Sequence, residues 1–467
     1  MKARKFAQLG VPSGAAMKAA GTAVRRAREA GIPKKSLPDI ISAVVENPED
    51  YLQDPLFSEL ADALIVAEAE MPRFKPRESP APFRIWGEGL DHNAIKQMEN
   101  AAQIPVAVRG ALMPDAHLGY GLPIGGVLGT RNTVIPYAVG VDIACRMKLT
   151  VLDMSPHVLG GEQKRLANAI EKETRFGTGA VFQRKFRRDH PVMEADWGAI
   201  PLTRRLRDKA WAQLGTSGSG NHFVEFGVLE VLDEKAGLDK GEYLALLSHS
   251  GSRGPGAQVA NFYTKLAREL HPELPKELTH LAWLDLDSHE GQEYWRAMHL
   301  MGQYAEANHA CIHRHIAKNL GAKVLLDVEN HHNFAWKEEH DGETLIVHRK
   351  GSTPAGDGVM GIIPGSMGAP GFLVRGKGND ASLHSASHGA GRRMSRKKAT
   401  QSFTWSDVKK YLRERNVTLL SAGLDEVPMA YKDIHEVMAA QTDLVDVMAR
   451  FDPRLVKMAP AGHRPED

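Results

Sequence analysis

Cys145 lies in the stretch GVDIACRM, three residues after Asp142, and is one of only two cysteines in 467 residues. Elsewhere in the chain, stretches rich in Gly, Ser or Asn each present a histidine: His117 in PDAH, His222 in SGNHF, His249 in SHSGSRG, His332 in ENHHNF, and His388 in SHGAGR. Glycine-flanked loops let backbone and side chain approach a ligand closely, and their amides can cradle phosphate. One such loop is ordinary. Five in one chain are hard to explain as turns alone. Asp142, Cys145, His222, His249 and His332 offer one carboxylate, one thiolate and three imidazoles. That set is too large for one tetrahedral ion and suits two ions sharing a bridging thiolate. Ligand softness alone selects zinc, and a set of hydrogen-bonded core histidines remains the competing reading. His309, Cys311 and His313 are a control: they sit at helical spacing with no glycine-rich loop around them, which predicts an ordinary helix surface.

A second group of residues suits phosphate. HSGSRG carries Ser250, Ser252 and Arg253; HRKG carries Arg349 and Lys350; PGSMG carries Ser366; HGAGRRMSRKKA carries Arg392, Arg393 and Arg396. Guanidinium groups match phosphate oxygens bidentately, and loop amides add donors without bulk. Beside two metals, this inventory points to phosphoryl or nucleotidyl transfer. His388 is then either a nucleophile or a phosphate-binding histidine, and the residues alone leave both open.

The elements that must position these groups change character along the chain. Residues 1–75 carry short amphipathic helical patterns, in SGAAMKAAGTAVRRAREAG, SLPDIISAVVENPEDY and DPLFSELADALIVAEAEM. A proline-rich stretch, PRFKPRESPAP, marks a linker assigned to residues 76–84, and residues 85–467 form the body. There, strand-like stretches such as YLALLSHS and ETLIVHRKG mix with a long helical pattern over 288–321. The order does not alternate as βαβ units would, so the fold class is α+β with a small helical N-terminal appendage. The chain is 42% hydrophobic and 25% charged, which excludes a mainly disordered protein. A net charge of +2 excludes a polybasic binder. Two cysteines fit a reducing cytosol rather than a disulfide framework. The start lacks an apolar signal region, and no stretch approaches a membrane span. The expectation is a cytoplasmic protein with no membrane partner.

The motifs MPDAHLGYGLPIGGV, GVDIACRM, GTSGSGNHFVEF, HSGSRG, HRKGSTPA, PGSMG, SHGAGRRMSR and AYKDI occur in the order seen in the RtcB family of RNA ligases, which the chain resembles from about Ile85 to Lys457. The resemblance implies an RtcB-like mixed α/β catalytic body. It implies GTP-dependent joining of an RNA 3′-phosphate or 2′,3′-cyclic phosphate to a 5′-hydroxyl, as in RNA repair, RNA processing and tRNA splicing, with two manganese ions. In family terms Cys145 bridges both ions, Asp142 and His222 complete one site, and His249 and His332 the other. His388 takes the place of the guanylylated histidine. Asn221, Glu225, Ser366, Tyr431 and Lys457 match nucleotide-holding positions, with Glu225 and Lys457 at the guanine. Asp115 lies in the motif tied to RNA-end processing, and Arg253, Arg349 and Arg392 are the phosphate or RNA contacts. The expected partner is RNA with those ends, the expected state a monomer, and an activating protein partner is left open.

Several positions depart from the family. GVDIGCGM is the usual form, and here Ala144 and Arg146 replace the glycines beside Cys145. Gly371 stands where a second guanine-binding serine is expected. These changes suggest a branch with its own RNA-end preference, for instance 3′-phosphate but not cyclic ends. Arg146 is expected to turn away from the metals, toward an RNA or triphosphate oxygen. A two-metal phosphoesterase and a non-catalytic RNA-end binder are the alternatives. The histidine of SHGAGR, together with Lys457, favours the ligase, because a hydrolase needs neither.

Overall fold

The computed structural model describes residues 1, 3–12, 14–70 and 74–464. Met71, Pro72 and Arg73, at the junction of the helical appendage and the proline-rich stretch, lie outside the described residues, as do Lys2, Ser13 and the last three positions. The chain divides into two compact units, Met1–Phe74 with Pro272–Leu274, and Lys75–His271 with Pro275–Asp467.

The first unit is helical: Ala3–Gln8, Ala15–Glu29, Leu37–Glu46 and Ser58–Glu70. Ala16, Ala20, Ala23 and Ala27 repeat at spacings of four and three, so they share one face, and all are buried with Ile41, Val44 and Leu60. Gly31 ends the second helix region at a φ of 87°, a conformation glycine adopts without a Cβ penalty.

The second unit carries an eight-stranded sheet with the strand order Val324–His331, Arg146–Leu152, Gly241–Ser250, Phe223–Val231, Val445–Met458, Gly371–Gly376 and Met360–Ile363, plus Thr418–Ser421 beside Val445–Met458. Every pairing along that path is antiparallel apart from Thr418–Ser421, which runs parallel to its neighbour. Period-two alternation sorts its side chains onto two faces. Leu244 and Leu246 face a core that includes Ile312 and Ile316 of the helix His289–Leu320, whereas Ala245 and Leu247 join Leu149, Leu229 and Ile362 on the other side. A five-stranded sheet lies elsewhere in the same unit, in the order Phe83–Ile85, Ala107–Tyr120, Leu122–Thr130, Glu343–Lys350 and Asn333–His340. This is the α+β arrangement expected from a pattern without βαβ alternation. No helix among the described residues is long and apolar enough to cross a membrane.

Two expectations change. Residues 76–84 are not a free tether: Arg77 N and Ala81 N donate to the carbonyls of Gln103 and Ala102 at 3.0 and 2.8 Å, and Phe83–Ile85 pairs in parallel with residues 110–112. His309, Cys311 and His313 are not on a helix surface. All three are buried where the long helix covers the sheet, and the Ser248 hydroxyl lies 2.7 Å from His309 Nδ1 and 2.8 Å from His313 Nε2. They are satisfied core histidines beside an inert thiol, whose pKa burial pushes up to about 11.

Candidate functional site

Four of the five residues with metal-ligand chemistry come from one end of four adjacent strands, and the fifth, Asp142, lies three residues before Cys145. His332 follows Val324–His331, Cys145 precedes Arg146–Leu152, His249 lies near the end of Gly241–Ser250, and His222 precedes Phe223–Val231. Register aligns them: His331 pairs with Arg146, Met147 with His249, and Phe223 with His249. Cys145 Sγ consequently lies 3.1 Å from His249 Nε2 and 3.4 Å from His222 Nε2, and His249 Nε2 lies 3.2 Å from His332 Nε2. His222 Nε2 is 3.2 Å from Asp142 Oδ2. Two three-residue ligand groups result, Asp142–Cys145–His222 and Cys145–His249–His332, sharing the thiol.

The donor atoms suit cations. His332 Nδ1 is buried without a hydrogen-bond partner, an expensive condition in a finished core, and Asp142 Oδ2 is buried with only His222 Nε2 beside it. Burial pushes the His249 pKa down to about 3, helped by the His222 charge, and burial holds His332 well below the usual range, so both imidazoles are neutral and carry a lone pair. Burial opposes ionisation of Asp142, but the hydrogen bond and charge of His222, with Arg253, override it and keep the carboxyl below its usual value. Asp142 Oδ1 accepts from Ser252 N at 2.9 Å, which fixes the carboxylate's orientation. Gly251 is required beside it, because a Cβ there would collide with the Asp142 carboxylate.

His388 approaches the same centre, its ring centroid 5.0 Å from that of His332. Asp115 holds it. Oδ2 of that carboxylate accepts from His388 Nδ1 at 2.7 Å and from the backbone amides of His388 and Gly389 at 3.1 and 3.3 Å. Donation through Nδ1–H leaves the Nε2 lone pair free. Burial works to raise the Asp115 pKa, and the His388 hydrogen bond with the nearby Lys432 charge reverses it, leaving the group ionised. Lys432 Nζ ties down both neighbours, donating to the carbonyls of Pro114 and Ala116 at 3.0 and 2.7 Å. Gly391, at a φ of 71°, comes so close to the Asp115 carbonyl that no side chain fits.

These groups open into a cavity of about 750 Å³. Asn221, Ser366, Tyr431, Arg392 and Lys350 line it with His388. Glu426 organises one wall. Its carboxylate receives Arg392 Nη1 and Arg396 Nε, each at 2.8 Å, and the Tyr431 hydroxyl. Lys350 Nζ donates to the Tyr120 carbonyl at 2.6 Å, and burial lowers its pKa to about 7.

Other expected residues lie elsewhere. Lys457 does not line the cavity: strand alternation presents Met458 there instead, and Lys457 Nζ pairs with Glu171 at 2.9 Å. Glu225 does not line it either. It is buried, and desolvation raises its pKa well above normal. Arg349 is buried and bidentate on Glu338, and it also donates to Ser385 Oγ and the Leu383 carbonyl, so it is not presented to phosphate. Arg253 lies against His222, with Nη1 3.2 Å from Nδ1. Arg146 does turn from the metal ligands, but toward Glu329 at 3.2 Å and the Gly302 carbonyl rather than toward the cavity. Ala144 sits at a φ of 56°, and its amide donates to the Asn333 carbonyl at 2.6 Å.

The sequence reading missed the roles of Lys432 and Glu426. Lys432 lies inside the quoted motif AYKDI, a signal that was available, whereas nothing in LDEVP marks Glu426.

The model of the family described as tRNA-splicing ligase RtcB matches residues 97–458. RNA-splicing ligase RtcB of Escherichia coli (strain K12) is 35% identical over 400 residues, covering 79% of this chain and 95% of that protein. tRNA-splicing ligase RtcB of Nanoarchaeum equitans is 33% identical over 454 residues, covering 80% and 94%. The protein of the same name from Methanococcus maripaludis is 30% identical over 449 residues, covering 80% and 92%.

Proposed function

The chain belongs to the RtcB family, and from that premise we propose that it is a GTP-dependent RNA ligase working through guanylylated His388. The names of its relatives point to spliced RNA, tRNA included, as the substrate. The observation that carries the reading is the Asp115 grip on His388. It commits Nδ1 as a donor and leaves Nε2 as a nucleophile in the wall of a cavity shared with the metal ligands.

Asp142, Cys145 and His222 would hold one ion, and Cys145, His249 and His332 the other; manganese is the metal the resemblance implies, and its charge would offset that of phosphate oxygens. His388 Nε2 attacks the α-phosphorus of GTP, and the nitrogen–phosphorus bond forms as the bond to pyrophosphate breaks. As Nε2 becomes bonded, the ring gains positive character that the ionised Asp115 stabilises. GMP then passes from His388 to the RNA 3′-phosphate, and attack by the 5′-hydroxyl expels GMP and closes the strand. Cyclic ends require prior opening by water. Asn221, Ser366 and Tyr431 hold the nucleotide in this reading, and Arg392, oriented by Glu426, faces phosphate.

Incubation with α-labelled GTP and Mn²⁺, followed by a denaturing gel, tests the reading. An acid-labile adduct absent from His388→Ala is expected. An adduct that persists in that variant overturns the nucleophile, and RNA-end phosphatase activity with no adduct in the unaltered protein supports the phosphoesterase instead.

A further inference from the structure

Away from the Cys145 centre, the hairpin made by Asn333–His340 and Glu343–Lys350 ends in Asp341 and Gly342, both at positive φ. His340, the last residue of its strand, is buried, and its ring meets that of His384 with centroids 4.7 Å apart. Asp380 Oδ1 lies 2.8 Å from His384 Nε2. One ligand atom from each of His340, Asp380 and His384 lies within 4.8 Å of the others.

The state of His340 distinguishes this trio from a chance surface cluster. Its Nε2 lies 3.0 Å from Glu338 Oε2. The Arg349 guanidinium grips both Glu338 oxygens, at 2.6 and 3.0 Å, and holds the group as a carboxylate. A carboxylate can only accept, so His340 must carry its proton on Nε2, which leaves a lone pair on Nδ1. Nδ1 is buried and has no hydrogen-bond partner. A carboxylate that sets the tautomer of a histidine and frees its other nitrogen is the usual outer support of a metal-ligating imidazole.

We propose that His340 Nδ1, His384 and Asp380 bind one divalent transition-metal ion, with zinc the best match to two imidazoles and a carboxylate. Water completes the fourth position on the open side, where Asp380 is exposed. Binding contracts the trio, and the side chains that must move are the exposed Asp380 and half-buried His384, whose hydrogen bond to each other the ion replaces. The His384 backbone is already held, with its amide on the Asn379 carbonyl and its carbonyl on the Ala355 amide. The site joins the hairpin end to the segment that runs through Ser385–Ser387 into His388. It is therefore a staple beneath the nucleophile's strand, and it shares no ligand with the Cys145 centre.

The test is equilibrium dialysis of the full chain against Zn²⁺, with bound zinc counted by elemental analysis. Two pairs are compared: unaltered protein with His384→Ala, and Cys145→Ser with the Cys145→Ser/His384→Ala double variant. The second pair isolates this site from the thiolate centre. Loss of one equivalent on His384→Ala in both pairs is expected, with unchanged circular dichroism confirming the fold. Cobalt in the Cys145→Ser background should give visible d–d absorption that disappears with His384→Ala. Glu338→Gln should raise the half-saturating zinc concentration about 10- to 100-fold. Equal zinc in both members of each pair overturns the proposal, whether or not His388 is guanylylated.

Discussion

Asp115→Asn separates the role of the His388 ring from that of the cavity around it. The substitution keeps the shape of a fully buried side chain and removes its charge. Oδ2 now accepts three N–H groups, and the shortest bond, 2.7 Å, is to the ring. Changing a charge-assisted hydrogen bond to a neutral one costs about 1–2 kcal/mol, which is roughly a 5- to 30-fold loss. The larger effect arises as the ring becomes cationic during attack. A unit charge about 4 Å from the carboxylate is stabilised by up to about 4 kcal/mol at an effective dielectric of 20, near a thousandfold in rate. Adduct formation should therefore slow by about 10²- to 10³-fold in single-turnover reactions with labelled GTP. Metal content and thermal unfolding should stay close to those of the unaltered protein. If Asp115→Asn forms the adduct within about threefold of the normal rate, ring polarisation by Asp115 is not part of the chemistry.

Ala144 occupies the left-handed region, which costs an L residue about 1–2 kcal/mol, so Ala144→Gly should stabilise the protein by about 0.5–1 kcal/mol after the entropy of glycine is counted; a urea midpoint that stays put or falls refutes this. Lys457→Ala removes an ion pair with Glu171 away from the cavity, and the KM for GTP should change by no more than about twofold; a tenfold rise would restore the lysine to the guanine site. The pH response of the metal-free protein follows from neutral buried histidines. His348 accepts from Ile135 N at Nε2 and lies 3.1 Å from the Leu128 carbonyl at Nδ1, and burial lowers its pKa to about 4, as it does for His117. Between about pH 6.5 and 4 the unfolded chain binds more protons than the native one, so stability should fall as pH drops through that window. Urea titrations at constant salt that show no slope there would contradict the neutral assignment.

The ligand types were legible because chemistry was written in single residues: a rare cysteine, an aspartate three residues before it, and histidines beside glycine. Their meeting was not, since it depends on strand order and register between segments far apart in the chain. Asp115 shows the gap most clearly. It was visible as a motif residue, but its grip on His388 spans 273 positions. Arg349 shows the reverse error, because an arginine beside lysine and glycine reads as a phosphate contact until Glu338, on the neighbouring strand, is seen to occupy it. Lys457 and Met458 differ by one position, and pleat alone decides which faces the cavity. The buried face of the long helix was hidden for a related reason. His309 and His313 look polar in isolation and become core residues only because Ser248 waits on the sheet.

Four neighbouring strands each deliver one cysteine or histidine to the same end of a sheet, which makes that centre a sensor of its own assembly. Sliding any one strand by a single residue would shift its ligand by about 3.3 Å and turn the strand's side chains to the opposite face. The ligands also span roughly 190 positions, from Asp142 to His332. An ion arriving early would find only scattered donors in an open chain, and closing those loops for one bond at a time is entropically unrewarding. In the proposed reading, metal capture would thus be a late event that accepts only chains whose strands are already in register. Loading with metal would then mark a correctly threaded molecule and leave a misaligned one empty.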